Sequence, residues 1–221
     1  PEDTIWILCV PGESDLLPTI RSRVRTVSLG VPAPEAVARL LVERDGVDPT
    51  LAAQVAREAQ SHIGMARRLA TNDEARARRV ETLDVALRVQ TAGHAVLAAA
   101  RYVEIAGADA EALGADQDAA EREHALRQMG IAPGGTVPPQ LRRQLRELEA
   151  LQKERAKRGL RDGVDRILVD LLSLFRDILL TQLGVGHELV NEAQRARIEE
   201  AARGRRPEDT LAGLDAIQLA R

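Results

Sequence analysis

The stretch from Ile167 to Leu183 limits the possible folds of this chain more than any other. Its apolar positions cover more than one side of a helix; they are Leu168, Leu171, Leu172, Phe175, Ile178, Leu179 and Leu183, with Leu174 and Leu180 towards another side. Such a helix is enclosed within a domain or faces a partner. We predict that Leu172 lies on the inner stripe, and that Leu174 and Leu180 meet neighbouring helices of this chain or of a partner.

Composition indicates an aliphatic core. Hydrophobic residues make up 44% of the sequence and aromatic residues only 1%, so Leu, Val, Ile and Ala must fill the interior. Such a core suits packed helices, and we predict a mostly α fold. The net charge of -3 gives no global basic field that would draw the chain to nucleic acid. No apolar stretch reaches the ~18 residues that a membrane span requires.

Two short runs near the start have the character of strands. Residues 4–10 are apolar after the first position, and residues 25–29 form a second run of this kind. A continuous apolar run between chain breakers is typical of a strand buried on both faces. The single cysteine, Cys9, falls inside the first run, where we expect a buried and inert thiol. One cysteine excludes an internal disulfide and fits a reducing, cytoplasmic location.

Helical patterns fill most of the remaining sequence. Proline, capping and glycine positions predict three short helices within residues 32–72, and then helices over 73–89 and 92–107. Residues 104–123 hold seven acids and one base, whereas residues 140–166 hold nine bases and five acids, with a loop at 131–139 between them. The two segments form either an antiparallel helical hairpin or two solvated helix faces. Residues 188–202 and 207–220 are predicted to be amphipathic helices.

A motif after the first apolar run carries a family resemblance. The run from Leu17 to Val24 reads Leu-Pro-Thr-Ile-Arg-Ser-Arg-Val and is similar to the Ser-Arg-Cys motif of bacterial clamp-loader ATPases of the AAA+ class, with Val24 in place of cysteine. The segment from Ser61 to Ala70 contains Gly-x-x-Arg, ending at Arg67, and resembles the sensor-2 segment of that class. Over nearly its whole length the chain resembles the delta-prime family of DNA polymerase III clamp-loader subunits, in an actinobacterial style.

The resemblance implies an architecture and a set of partners. Residues 1–31 would be the last piece of an α/β AAA+ core with two strands, 32–72 a helical lid, and 73–221 a helical collar for oligomerisation. We expect the rest of the core before Pro1 and further residues after Arg221. Expected partners are the motor and delta subunits through core and collar, and the sliding clamp and primed DNA through the assembly. No membrane partner is expected.

The resemblance also implies roles for individual residues. Arg23, with Ser22, would act as an arginine finger on the ATP and magnesium bound by a neighbouring motor subunit. Arg67 would be a sensor-2-like nucleotide contact, or a structural remnant that pairs with an acid between lid and core. The family's hydroxyl-bearing sensor position is replaced here by Val10-Pro11, which argues against ATP hydrolysis by the chain itself.

The sequence has no self-contained catalytic constellation. Its four histidines are scattered, without metal-ligand spacing, and it contains neither a phosphate loop nor a nucleophile elbow. We therefore expect no metal and no cofactor in this chain. The resemblance implies a stator subunit of a DNA-directed DNA polymerase holoenzyme, a nucleotidyltransferase. Two alternatives remain open: the gamma/tau motor subunit of the same complex, and a helical scaffold or adaptor without a nucleotide role.

Overall fold

The computed structural model of the chain describes residues 4–10, 12–128, 142–186 and 188–221, and within these ranges the only regular secondary structure is helical. The predicted mostly α fold is confirmed. The helices are α1 Pro18–Arg21, α2 Pro34–Asp45, α3 Pro49–Glu58, α4 Ile63–Thr71, α5 Asp73–Leu87, α6 Ala92–Gln128, α7 Arg142–Gln182, α8 Arg195–Arg203 and α9 Pro207–Ala220. Short 3-10 turns precede α1 at Glu13–Asp15 and α8 at Glu192–Gln194.

The three short helices predicted after residue 32 are α2, α3 and α4. Local chemistry sets their ends: Gly46 follows α2 with a φ of 66°, and the Asp48 carboxylate accepts hydrogen bonds from the first N–H groups of α3. His62 caps α4 by accepting a bond from the Met65 N–H at 3.1 Å. These helices share a small aliphatic core, formed by Val37, Leu41, Ala52, Val55, Ala56, Ala59, Ala66, Leu69 and Ala75 of α5.

Helices α6 and α7 form a long antiparallel hairpin, which confirms one of the two interpretations of the acidic and basic segments. Arg122 pairs with Glu149 at 2.7 Å, and Arg155 pairs with Asp118 at 3.0 Å. With 37 and 41 residues, the helices are about 55 and 60 Å long. Helix α6 extends beyond its predicted end at residue 107, and α7 joins the predicted basic segment and the apolar helix into one continuous helix. The predicted loop at 131–139 lies outside the described residues.

The C-terminal half of α7 is the centre of a second core. Its fully or nearly buried apolar positions are Ile167, Leu171, Leu174 and Ile178, and they pack with buried residues of α5, α6 and α8. The predicted inner stripe was partly wrong, since Leu174 is fully buried and Leu172 only partly. Helices α8 and α9 pack on other sides of α7. Leu174, which lies outside the predicted stripe, is therefore enclosed by helices of the same chain.

The two predicted strands are not formed in the described part of the chain. Residues 4–10 and 25–29 are exposed and have no regular secondary structure, because a strand needs a neighbour to satisfy its backbone groups. Cys9 is exposed rather than buried, for the same reason. The large apolar side chains here face solvent: Ile5, Trp6 and Ile7 are each more than 80% exposed.

Candidate functional site

The segment around the predicted finger is a short, locally ordered turn. Asp15 accepts a hydrogen bond from the Gly12 N–H at 3.1 Å, and Pro18 begins α1, where its missing N–H costs nothing. At the other end of α1 the Ser22 hydroxyl donates to the carbonyl of Thr19 at 3.2 Å. The Arg23 N–H donates to the Ile20 carbonyl at 2.9 Å. These bonds place Arg23 directly after the helix, at its C-terminal end.

Both predicted finger residues are exposed. Arg23 forms no ion pair with any carboxylate in the described part of the chain, so its guanidinium is available to a ligand or a partner chain. Exposed apolar residues lie on both sides of α1, including Leu17 at 66% and Val27 at 72%. A second protein surface can pair with such an arginine and cover the exposed apolar side chains beside it. The predicted sensor replacement at Val10-Pro11 falls partly outside the described residues, which omit Pro11.

Arg67 has a partner within its own helical unit. Its Nε lies 3.1 Å from Oδ1 of Asp45 at the end of α2, and its side chain is 59% exposed. Arg44 lowers the pKa of Asp45 through a hydrogen bond, burial opposes this, and Arg67 adds to the lowering. The Arg67–Asp45 pair therefore joins α4 to α2. Among the described residues, no carboxylate pairs with both Arg23 and Arg67.

A buried polar network, which the sequence did not predict, joins α3, α5 and α7. Arg79 of α5 lies 3.4 Å from Glu58 and 2.9 Å from Asp170, and it donates to the Asn191 side chain at 2.7 Å. Burial raises the pKa of Asp170, and the charge of Arg79 opposes that rise. The backbone N–H of Asn191 in turn donates to the carboxylate of Asp177 at 2.8 Å, and Asp177 is fully buried. A buried charge needs partners of this kind, and the network supplies them.

A second charged cluster lies beside this network, where α4, α5 and α6 meet. Asp109 of α6 pairs with Arg68 of α4 at 2.9 Å and also with Arg78 of α5. Arg166 of α7 donates to the sulfur of Met65 at 3.8 Å. A sequence signals such clusters only through its number of charged residues. The spacing of residues 68, 78, 109 and 166 does not indicate that they lie close together.

The described residues do not bring potential metal ligands together. They contain no group of three or more histidine, cysteine, aspartate or glutamate side chains arranged to hold a metal. Within the same ranges, no helix combines the length and apolar character needed to cross a membrane. Comparison with protein-family models, with curated proteins and with solved structures finds no match to this chain.

Proposed function

We propose that this chain belongs to a stator subunit of a bacterial clamp loader, which lends Arg23 to the ATP site of a neighbouring motor subunit. The observation that carries the proposal is the exposed Ser22-Arg23 pair at the end of a short helix, which has no acidic partner in the described part of the chain. The proposal assigns α2 to α4 to the lid and α5 to α9 to the collar. The sliding clamp and primed DNA would be reached through the assembled ring.

The chain that supplies an arginine finger makes a limited contribution to the chemistry. A guanidinium inserted beside the transferring phosphate stabilises the charge that develops in the transition state, and in other phosphoryl-transfer systems this raises turnover by ~10³–10⁵. ATP and magnesium belong to the neighbouring subunit. The finger chain must hold the arginine at a fixed place on an interface. Helix α1, begun by Pro18 and ended by the Ser22 and Arg23 hydrogen bonds, fixes the local backbone at Arg23, and the rest of the core would fix its place on the interface.

The exposed apolar residues before α2 support an interface in this region. Leu29 is 92% exposed and Val31 is 86% exposed, in addition to the apolar side chains of residues 5–7. Such a concentration of uncovered apolar surface marks a place that further protein covers, which is either the rest of the proposed core or a neighbouring subunit. In the proposed subunit, neighbouring strands of the AAA+ core would cover residues 4–10 and 25–29. The Arg67–Asp45 pair supports a structural role for Arg67 within the lid.

The direct test is Arg23→Ala in the complete subunit, assembled into a ring with its partners. We expect ring assembly to persist and DNA- and clamp-stimulated ATP hydrolysis to fall on the order of 10³-fold. Arg21→Ala is the matched control, because Arg21 is an exposed arginine on the same short helix. Unchanged turnover in a fully assembled Arg23→Ala ring would remove the finger and favour a scaffold without a nucleotide role.

The motor alternative is separated by nucleotide binding. The isolated, complete subunit should not hydrolyse ATP, because Val10-Pro11 stands where the motor family has a hydroxyl side chain. Equilibrium dialysis with ATP and a steady-state hydrolysis assay on the same preparation measure both properties. Micromolar binding together with hydrolysis would assign the chain to the motor subunit instead.

A further inference from the structure

A small cavity lies at the junction of α4, α5, α6 and α7. Its volume is about 20 Å³, and its charged lining consists of Arg68, Arg78, Arg79, Arg166, Asp109 and Asp170. A cavity of this size holds one water molecule or one small ion. Phosphate, sulfate and carboxylate ligands are too large for it. Any occupant must therefore be monatomic or of the size of water.

The cavity has more positive than negative groups in its wall. Four guanidinium groups face two carboxylates. Asp109 serves both Arg68 and Arg78, and Asp170 serves Arg79, which Glu58 also contacts from outside the cavity. Glu74, on the far side of Arg78, is 80% exposed, and water screens its charge. The wall therefore carries an excess of positive charge, with Arg79 buried and Arg166 partly buried.

Arg166 is the cationic group of this cavity that lacks an acidic partner. Among the described residues it forms no ion pair, and its hydrogen bond goes to the sulfur of Met65, a weak acceptor. Burial lowers the pKa of Arg166, and the nearby Arg68 lowers it further, while Asp109, Asp170 and Asp162 oppose the shift. Arginine nevertheless remains protonated in proteins, so the charge must be stabilised in place.

Arg78, which also lines the cavity, has an unused donor. Its Nη2 is buried and has no hydrogen-bond partner in the described part of the chain, although its Nε and Nη1 bind Asp109 and Glu74. A buried N–H without an acceptor destabilises the fold, so a site that retains one is expected to have an acceptor there. The free donor calls for an acceptor, and the excess charge calls for a negatively charged occupant.

We propose that this cavity binds one small monovalent anion, chloride in practice, between Nη2 of Arg78 and the guanidinium of Arg166. The anion accepts a hydrogen bond from Arg78 and offsets the charge of Arg166. A water molecule satisfies only the first of these needs. The wall includes α4 on one side and α6 and α7 on the other. The anion therefore also connects α4 to the α6–α7 hairpin. The site is independent of the proposed role of Arg23 at the ATP site of a neighbouring subunit.

The experiment compares thermal unfolding of the whole chain in sodium chloride and in sodium gluconate at equal ionic strength. Gluconate is too large to enter the cavity. We expect a saturable rise of the melting temperature in chloride of about 4 °C relative to gluconate. Arg166→Met should abolish that difference. Arg158→Met, at an exposed arginine of the same helix, should retain it. A chloride effect that persists in Arg166→Met would overturn the proposal.

A crystallographic measurement decides the question even if Arg166→Met does not fold. Crystals of the wild-type chain soaked in sodium bromide should show an anomalous scattering peak in the cavity between Arg78 and Arg166, since bromide replaces chloride at such sites. A peak there supports the anion. An ordered water at that place without anomalous signal overturns it, and so does equal stability of the wild type in the two salts.

Discussion

Tyr102 offers a direct report on one partly buried group, because it is the only tyrosine in the chain. Its hydroxyl donates to the carbonyl of Thr82 at 3.5 Å, and burial raises its pKa to about 12. The folded state therefore keeps the phenol proton at a pH where the unfolded chain, with an ordinary pKa near ~10, has lost it. Stability from this group is complete below about pH 10 and declines as the pH rises towards 12.

We predict that the tyrosinate absorbance of the folded chain titrates at about pH 12, and at an ordinary pKa near ~10 in denaturant. Tyr102→Phe should remove the absorbance change and reduce the alkaline loss of stability measured by urea unfolding. Equal pKa values of the tyrosine in the native and the denatured chain would contradict this prediction.

Single residues also show where sequence reasoning succeeds and where it stops. The caps at Asp48 and the glycine at position 46 were predictable, because the partner groups are a few residues away. The network of Arg79 was not, since it joins residues 21 to 112 positions apart in the sequence. An arginine on a predicted helix is usually solvated, and only the packing of α3, α5 and α7 encloses this one.

At the scale of elements, the hairpin depends on glycines at its crossing point. A Cβ on Gly163 would lie 3.0 Å from the backbone oxygen of Ala106 and 3.1 Å from its Cβ. A Cβ on Gly107 of α6 would meet nothing within 4 Å. The same substitution therefore has opposite consequences on the two helices of one hairpin.

We predict that Gly163→Ala destabilises the chain by about 1–3 kcal/mol, because the backbones of α6 and α7 must separate. Gly107→Ala should stabilise it by about 0.5–1 kcal/mol, the usual difference between glycine and alanine in a helix interior. Urea unfolding followed by circular dichroism measures both. A stabilising Gly163→Ala would mean that the two helices do not approach as closely as described.

The elements themselves were predictable to different degrees. Amphipathic and capping patterns located α2 to α5 closely, whereas the predicted end of α6 at residue 107 was too early. Residues 108–128 lack a strong apolar stripe, and the sequence does not reveal their ion pairs to α7. The runs at 4–10 and 25–29 have strand-like composition, but a strand is a property of two segments and not of one. The finger role of Arg23 likewise depends on a partner chain.

At the scale of the whole molecule, the residues before α2 are separate from both cores. None of the described residues before Pro32 contributes to either group of buried side chains. We predict that removing residues 1–32 leaves the melting temperature of the helical part within about 2 °C of the intact chain. Thermal circular dichroism of the two chains measures the difference.

The truncated chain should also aggregate less, since it lacks the exposed aliphatic side chains of that segment. Light scattering during the same melting experiment tests this. A loss of more than about 5 °C would show that the segment packs on the helices and stabilises them.

The hairpin has a mechanical consequence. Residues 110–128 of α6 and 142–159 of α7 continue for about 30 Å past the junction with α4 and α5, paired with each other. A rigid rod hinged at one end amplifies rotation: a tilt of about 5° at the junction displaces its far end by roughly 2–3 Å. Small rearrangements at Asp109 and Gly163 would thus produce larger displacements at the far end of the hairpin.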